Sequence, residues 1–165
     1  MEKEFVDLIN SHSRLLYKIC NLYCDEAEDR KDMFQEIVLQ LWKAFPSFRN
    51  ESSVSTWMYR IGLNTAVSNF RKVSKGVFKT SISDAVFQVP NPGDFYPESD
   101  QIIALHKAIS ELNTIEKAVV MLYLEEKSYE EIAEILGITK SNVGVKLLRI
   151  KGKLEKTLKT YSYES

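Results

Sequence analysis

Cysteine, histidine, glycine and proline are all scarce in this sequence, and each shortage excludes a kind of site. Two cysteines and two histidines among 165 residues are too few for a disulfide scaffold and show no zinc-binding spacing. The six glycines are isolated, so there is no glycine-rich phosphate loop, and no serine elbow or paired histidine and cysteine site is present. The sequence therefore predicts a protein that is not an enzyme and that holds no metal and no cofactor.

Long hydrophobic runs and an excess of either charge are also missing. No apolar segment approaches the roughly 18 residues of a membrane span, so membrane insertion is not expected. The opening segment, MEKEFVDLIN, is acidic and amphipathic and does not fit a secretory signal, which favours a cytoplasmic location. Since 22 basic residues face 23 acidic ones, the chain cannot coat nucleic acid by bulk charge.

Hydrophobic residues with helical spacing are what the sequence does contain, along most of its length. Apolar faces run over residues 5–19 and 33–45, and a third helix is expected over about 56–72, capped by Ser53 or Ser55. No strand pattern occurs. The predicted fold class is all-α.

The helical spacing fails over residues 74–99, which hold three of the four prolines and two of the six glycines. A structureless run of this length is unusual inside one compact domain, so we expect a flexible linker here. The sequence then predicts two small helical domains, over residues 1–73 and 100–162.

A helix-turn-helix is predicted near the end of the second domain. Ser128 and Glu131 have the spacing of a capping box, and Gly137 suits the left-handed residue that ends a helix. Thr139 then caps a final helix after a short turn. These lengths are typical of a helix-turn-helix, whose second helix enters the major groove.

Charge is sorted along the chain despite the small net value. Residues 137–160 hold seven basic residues and one acid, and residues 49–75 hold five basic residues and one acid. Two such segments suit a phosphate backbone contacted at two places, although blocks of this size also arise by chance. Residues 25–36 reverse the balance, with six acids and two basic residues.

Three sets of side chains are candidates for binding. The last helix carries amide and cationic donors for base edges and phosphates, and a plain hairpin with a basic solvated face is the alternative. Aromatic residues interleave with arginines in FPSFRNESSVSTWMYRIGLNTAVSNFRK, and such a pattern can stack unpaired bases, although each aromatic taken singly fits a core position better. Asp29, Asp32, Glu36 and Gln40 form a polar edge on the second helix, as a solvated face also would.

Three segments in combination resemble the extracytoplasmic-function (ECF) sigma factors of bacterial RNA polymerase. They are DMFQEIVLQLW, FRNESSVSTWMYRIGLNTAVSNFRK and SYEEIAEILGITKSNVGVKLLRIKGKL, and they span both predicted domains. The resemblance implies an initiation factor whose partners are core RNA polymerase, promoter DNA and an anti-sigma factor. The first domain would dock on polymerase and recognise the minus-10 element, and the second would read the minus-35 element.

The resemblance also implies a role for each candidate residue. The residues implied to bind polymerase are Asp29, Asp32, Gln35, Glu36 and Gln40. Minus-10 DNA falls to Phe45, Phe48, Arg49, Asn50, Ser52, Ser53, Thr56, Trp57, Arg60, Asn64 and Arg71. Minus-35 DNA falls to Lys140, Ser141, Asn142, Lys146, Arg149 and Lys153.

The sequence departs from the family pattern where Leu63, Gly144 and Leu148 replace basic residues or histidine. Val145 and Leu148 could meet thymine methyl groups or be covered by another protein.

A stand-alone helix-turn-helix regulator is the alternative function. A protein that mimics sigma helices is a third reading, and the basic excess near the end of the chain disfavours it. Cys20 and Cys24 fit buried thiols better than a redox switch.

Overall fold

The structure is a computed structural model that describes residues 1–73 and 99–164, with side chains over 1–69 and 99–161. The predicted linker, 74–99, lies outside the described residues except for Ser99. Backbone contacts divide the chain into two compact units, Met1–Asn91 and Pro92–Ser165. Every regular element in the described ranges is helical, which confirms the all-α prediction.

Four α-helices and one short 3₁₀ turn make up the described part of the first unit. They are α1 (Glu2–Ser11), α2 (Ser13–Tyr23), α3 (Ala27–Ala44), the 3₁₀ turn (Phe45–Ser47) and α4 (Val54–Val73). Helices α2, α3 and α4 pack on one another. Their buried side chains, among them Leu16, Ile37 and Met58, form the core, where burying each large aliphatic residue contributes roughly 1.5–3 kcal/mol.

The apolar face predicted over residues 5–19 occurs on two helices rather than one. The backbone leaves the helical conformation at His12, with φ −118° and ψ 18°. Phe5 and Ile9 before the break and Leu16 and Ile19 after it are all buried. The break thus turns the chain while both segments keep their apolar faces toward the same core.

Helix α4 begins two residues earlier than expected because Ser53 is its cap. The Thr56 amide donates to Ser53 Oγ at 3.1 Å, and the Trp57 amide donates to the Ser53 carbonyl at 3.0 Å. Farther along α4, Gly62 allows close contact with α2. A Cβ at that position would lie 2.7 Å from Ile19 Cδ1, closer than carbon atoms can pack.

The second unit contains α5 (Asp100–Ser110), α6 (Thr114–Leu124), α7 (Tyr129–Leu136) and α8 (Lys140–Glu164). Helix α8 packs against the other three and supplies Val143, Leu147 and Ile150 to the core. Side-chain caps fix where these helices begin, because each accepts an otherwise unpaired amide: Ser99 for α5 and Asn113 for α6.

The described helices also bear on the expectation about membranes. Across residues 1–73 and 99–164, no helix combines the length and the apolar character that crossing a bilayer requires.

Candidate DNA and polymerase interfaces

A surface pocket of about 310 Å³ lies between the α3–α4 loop and the first turns of α4. Its lining combines two aromatic rings, two arginines, two hydroxyls and one carboxylate: Phe48, Trp57, Arg49, Arg60, Ser47, Ser52 and Glu51. The lining of the pocket therefore combines polar side chains with an aromatic wall. That combination suits a flat, partly charged ligand with hydrogen-bonding edges.

The aromatic wall is a stacked pair. The Phe48 and Trp57 ring centroids lie 4.5 Å apart with 26° between their planes, and Phe45 lies 6.5 Å from Trp57. Trp57 is only 8% exposed, whereas Phe48 is half-buried. Trp57 therefore belongs to both the core and the pocket, and Phe48 forms the outer part of the wall.

The pocket loop is held at both ends and turns sharply in the middle. At its start, Phe48 N donates to the Phe45 carbonyl at 3.1 Å and Ser47 Oγ donates to the Ala44 carbonyl at 2.9 Å. Asn50 then adopts a left-handed conformation with φ 57°, which asparagine tolerates better than most residues. This turn places Arg49 and Glu51 on either side of it in the pocket wall.

The structure brings together five of the residues predicted to contact minus-10 DNA in the lining of this pocket. Phe48, Arg49, Ser52, Trp57 and Arg60 line the pocket, and Asn64 is exposed one turn beyond Arg60. Thr56 is buried at 4% exposure and its hydroxyl accepts from Ser53, so these two residues organise the start of α4. The side chain of Arg71 lies outside the described residues.

Sequence reasoning missed two pocket residues, Ser47 and Glu51. Both belong to the loop that had been selected for its aromatic and basic residues. A carboxylate among arginines does not look like part of a DNA surface, and only the loop conformation places it at the pocket.

Four of the five residues predicted to bind polymerase form the polar edge of α3, and the fifth, Gln35, lies on a different side of the same helix. Asp29 and Gln35 are exposed, whereas Asp32, Glu36 and Gln40 are half-buried. Gln40 Nε2 donates to Glu36 Oε1 at 3.0 Å, which fixes that carboxylate along the helix. The edge presents acidic groups beside the apolar residues that α3 buries.

The predicted helix-turn-helix is present as α7, a short turn and α8. Ser128 and Glu131 form the expected capping box, with both hydrogen bonds at 3.1 Å. Gly137 ends α7 in the left-handed conformation with φ 69°. Thr139 Oγ1 accepts from the Asn142 amide at 3.1 Å at the start of α8.

The six residues predicted to read the minus-35 element differ in exposure and in their partners within the protein. Ser141, Asn142 and Arg149 are exposed. Lys140 pairs with Glu130 at 2.6 Å, and Lys146 is half-buried. Lys153 is more than half exposed, and its Nζ pairs with Glu116 Oε2 at 2.6 Å, which connects α8 to α6.

Glu116 is a nearly buried carboxylate that serves two partners. Its Oε1 accepts from the Asn113 amide at 3.1 Å in a capping box, and its Oε2 accepts from Lys153. Burial raises the pKa of this carboxyl, but the hydrogen bonds from Lys153 and Asn113 outweigh burial and hold the pKa below its usual range. The pair therefore stays ionised at neutral pH and fixes the start of α6 against α8.

Comparison with known proteins decides between the possible families. Residues 8–76 match the family model of sigma-70 region 2, and residues 102–154 match that of sigma-70 region 4. RNA polymerase sigma factor YlaC of Bacillus subtilis is 30% identical over 135 residues, covering 79% of this chain and 78% of that protein. ECF RNA polymerase sigma factor SigM of Mycobacterium tuberculosis is 26% identical over 155 residues, covering 93% and 76%.

The chain belongs to the ECF sigma factors. Members of this family are transcription initiation factors that bind core RNA polymerase and promoter DNA in the bacterial cytoplasm, and they are not enzymes. The fold agrees, since the sigma factor RpoE from Bartonella quintana, solved with the anti-sigma factor NepR, matches with a TM-score of 0.71 at 22% identity. That match covers 95% of this sigma factor and 98% of RpoE.

Two departures of this sigma factor from the family pattern have different structural settings. Leu63 is 1% exposed and belongs to the α4 core face. Leu148 is 75% exposed, on the side of α8 that points away from the core. The first departure therefore adds to packing, whereas the second changes the surface.

The two cysteines of this sigma factor occupy different environments. Cys20 is fully buried, and burial raises the pKa of its thiol. Cys24 is half-buried, with its Sγ 3.8 Å from Met33 Sδ. The buried-thiol prediction is thus confirmed for Cys20.

Within the described ranges, no group of three or more His, Cys, Asp or Glu side chains is arranged to hold a metal ion.

Proposed function

We propose that this ECF sigma factor opens promoters by holding a base of the melted minus-10 strand in the Phe48–Trp57 pocket. The pocket itself is the observation that carries the proposal. Its volume of about 310 Å³ is at the lower end of the range typical of small-ligand sites, roughly 300–1,000 Å³. An extruded base is a flat ligand of this kind.

The lining supplies each interaction that such a base needs. Phe48 extends the aromatic wall on which a base can stack, and Arg49 and Arg60 can neutralise the phosphates that flank it. Glu51 and the hydroxyls can hydrogen-bond the base edge. Stacking contributes about 1–3 kcal/mol per base, which is comparable with the few kcal/mol that unstacking costs, so the pocket can shift the balance toward the open state.

The other two surfaces have the two remaining functions, polymerase docking and minus-35 recognition. The acidic edge of α3, with Asp32 and Glu36 at its centre, docks on core polymerase. Helix α8 reads the minus-35 element as duplex through Ser141, Asn142 and Arg149, with Lys140 and Lys146 near the phosphates. Residues 1–73 thus serve polymerase and the minus-10 element, residues 100–162 serve the minus-35 element, and residues 74–99 link them.

We also propose how the activity of this sigma factor is controlled in the cell. Two structural neighbours are described as complexes with anti-sigma proteins: RpoE with NepR, and CnrH with the cytosolic domain of CnrY at a TM-score of 0.67. By this analogy an anti-sigma factor holds the present protein inactive in the cytoplasm until a signal releases it.

Transcription with sigma-free core polymerase on fragmented genomic DNA tests the function, with sequencing of the RNA 5′ ends. We expect discrete start sites that share two upstream elements. Duplex binding by the protein alone, with no start sites, would instead indicate a stand-alone regulator.

On the promoters found in this way, permanganate reactivity of unpaired thymines tests the pocket. Arg49→Ala should reduce strand opening several-fold at equal polymerase occupancy, because one phosphate contact is lost. Arg14→Ala is the matched control, since Arg14 is an exposed arginine on α2 outside the pocket. Equal opening by the two variants would count against the pocket.

A further inference from the structure

The outward face of α8 is apolar at its centre, not basic. The core face of this helix is formed by Val143, Leu147 and Ile150, all 2% exposed or less. At 3.6 residues per turn, the positions farthest from that face include Val145 and Leu148. They are 47% and 75% exposed, and Leu148 is the most exposed large hydrophobic side chain among the described residues.

We propose that Leu148, together with Val145, reads the 5-methyl groups of thymine in the minus-35 element. This proposal rests on the proposed reading of that element by α8. In the major groove the thymine methyl is the one apolar group that a base pair presents, and aliphatic side chains are suited to it.

The positions of the two side chains along the helix support this assignment. Residues three apart lie about 4.5 Å apart along a helix axis. Successive base pairs are about 3.4 Å apart, so Val145 and Leu148 can reach neighbouring pairs. Polar residues flank them, with Ser141 one turn before Val145 and Arg149 next to Leu148, and both are exposed.

The charge around these side chains favours DNA over a protein partner. Residues 137–160 hold seven basic residues and one acid. An apolar pair surrounded by such an excess of cations is suited to a surface that is polyanionic and locally apolar, as thymine-containing DNA is. Val145, Leu148 and Arg149 are exposed together on this face.

The proposal is tested by combining one substitution in the protein with one substitution in the DNA, on promoters identified for the holoenzyme. Each thymine of the minus-35 element is replaced in turn by deoxyuridine, which lacks only the methyl group. Wild-type holoenzyme should bind about three- to fivefold more weakly at one or two positions, as expected for a single methyl taken out of contact. Leu148→Ala should bind the thymine promoter equally weakly and should show no further loss when the thymine contacted by Leu148 is replaced by deoxyuridine. A second sensitive position, contacted by Val145, should keep its loss in this variant.

Leu124→Ala is the matched control, because Leu124 is 53% exposed at the end of α6, outside α8. It should keep the full preference for thymine. Leu148→Ala is expected to fold, since its side chain is mostly exposed and alanine favours the helix.

Two results would overturn the proposal. One is a minus-35 element at which the wild type treats thymine and deoxyuridine alike. The other is a Leu148→Ala loss that is equal on both templates, because the side chain would then contact protein. Transcription that is unchanged when the whole minus-35 element is replaced would instead overturn the proposed function of α8.

Discussion

The two surfaces that we propose to contact DNA differ in how deeply they are set into the fold of this sigma factor. The pocket of the first unit is concave, and its central residue, Trp57, is 8% exposed. The outward face of α8 is convex, and its central residue, Leu148, is 75% exposed. We therefore expect a change at Trp57 to alter stability and binding together, whereas a change at Leu148 should alter binding alone.

The two surfaces also differ in whether their charged side chains are paired with other residues of the protein. On the second unit, Glu130 and Glu116 each hold a lysine that sequence reasoning had assigned to DNA. In the pocket the carboxylate of Glu51 lies at the wall itself, where a ligand can reach it. Two of the cations that the sequence predicts at DNA on α8 are therefore also paired with carboxylates of this protein.

Trp57→Ala should have the largest effect, because it removes both a core ring and half of the aromatic wall. We expect a loss of about 3–5 kcal/mol in the free energy of unfolding, together with loss of strand opening. Phe48→Ala, at the half-buried ring, should cost less stability and still impair opening. Thermal unfolding measures the effect on stability, and permanganate reactivity measures the effect on strand opening. Normal strand opening by Phe48→Ala would mean that the aromatic wall contributes only to packing.

Charge reversal on α3 should affect polymerase and leave DNA reading by α8 intact. Asp32→Lys combined with Glu36→Lys should weaken binding to core polymerase at least tenfold, a change of about 1.4 kcal/mol or more. Glu2→Lys, at an exposed acid on α1, is the control in the same unit. Fluorescence titration with core polymerase measures the affinity, and an unchanged value for the double variant would exclude this edge as the docking surface.

Glu116→Gln tests whether the second unit is braced by the Glu116–Lys153 pair. Glutamine can keep the capping bond to Asn113 but loses the charged bond to Lys153, so we expect a loss of about 1–2 kcal/mol at neutral pH. Denaturant unfolding of the full chain measures it. A variant as stable as the wild type would show that the pair contributes nothing.

The same pair should make stability depend on pH. The folded pKa of Glu116 is below its unfolded value, so the unfolded chain binds the proton more readily. The contribution is therefore present above the usual glutamate pKa, about 4.3, and is lost as the pH falls through the folded pKa. The stability difference between wild type and Glu116→Gln should shrink over that range, and a difference independent of pH would contradict the assignment.

The smallest expected effect compares one glycine in each unit. A Cβ at Gly152 would have nothing within 4 Å, so Gly152→Ala should stabilise the protein by up to about 1 kcal/mol through helix propensity. Gly62→Ala should destabilise it, because the added carbon would overlap the buried Ile19 side chain. Melting temperatures that move in the same direction would contradict the contrast between an open and a packed helix face.

Local features of the structure were predictable because they depend on residues close together in the chain. The Ser128–Glu131 capping box and the Gly137 stop each involve atoms within a few residues of one another. Helix α4 was placed two residues late because two serines could serve as its cap. The break at His12 was missed because its flanking apolar residues continue in helical spacing.

The sequence by itself determined most of the helices and their caps, the helix-turn-helix and the loop that holds most of the pocket residues, because short-range hydrogen bonds and periodicity specify these. Only the tertiary structure decided that Lys153 pairs with Glu116, 37 residues away, and that Leu63 is core while Leu148 is exposed. A helical wheel relates neighbours on one helix. It cannot show which side of that helix a second helix will cover, and that contact decides which side chains remain available for DNA.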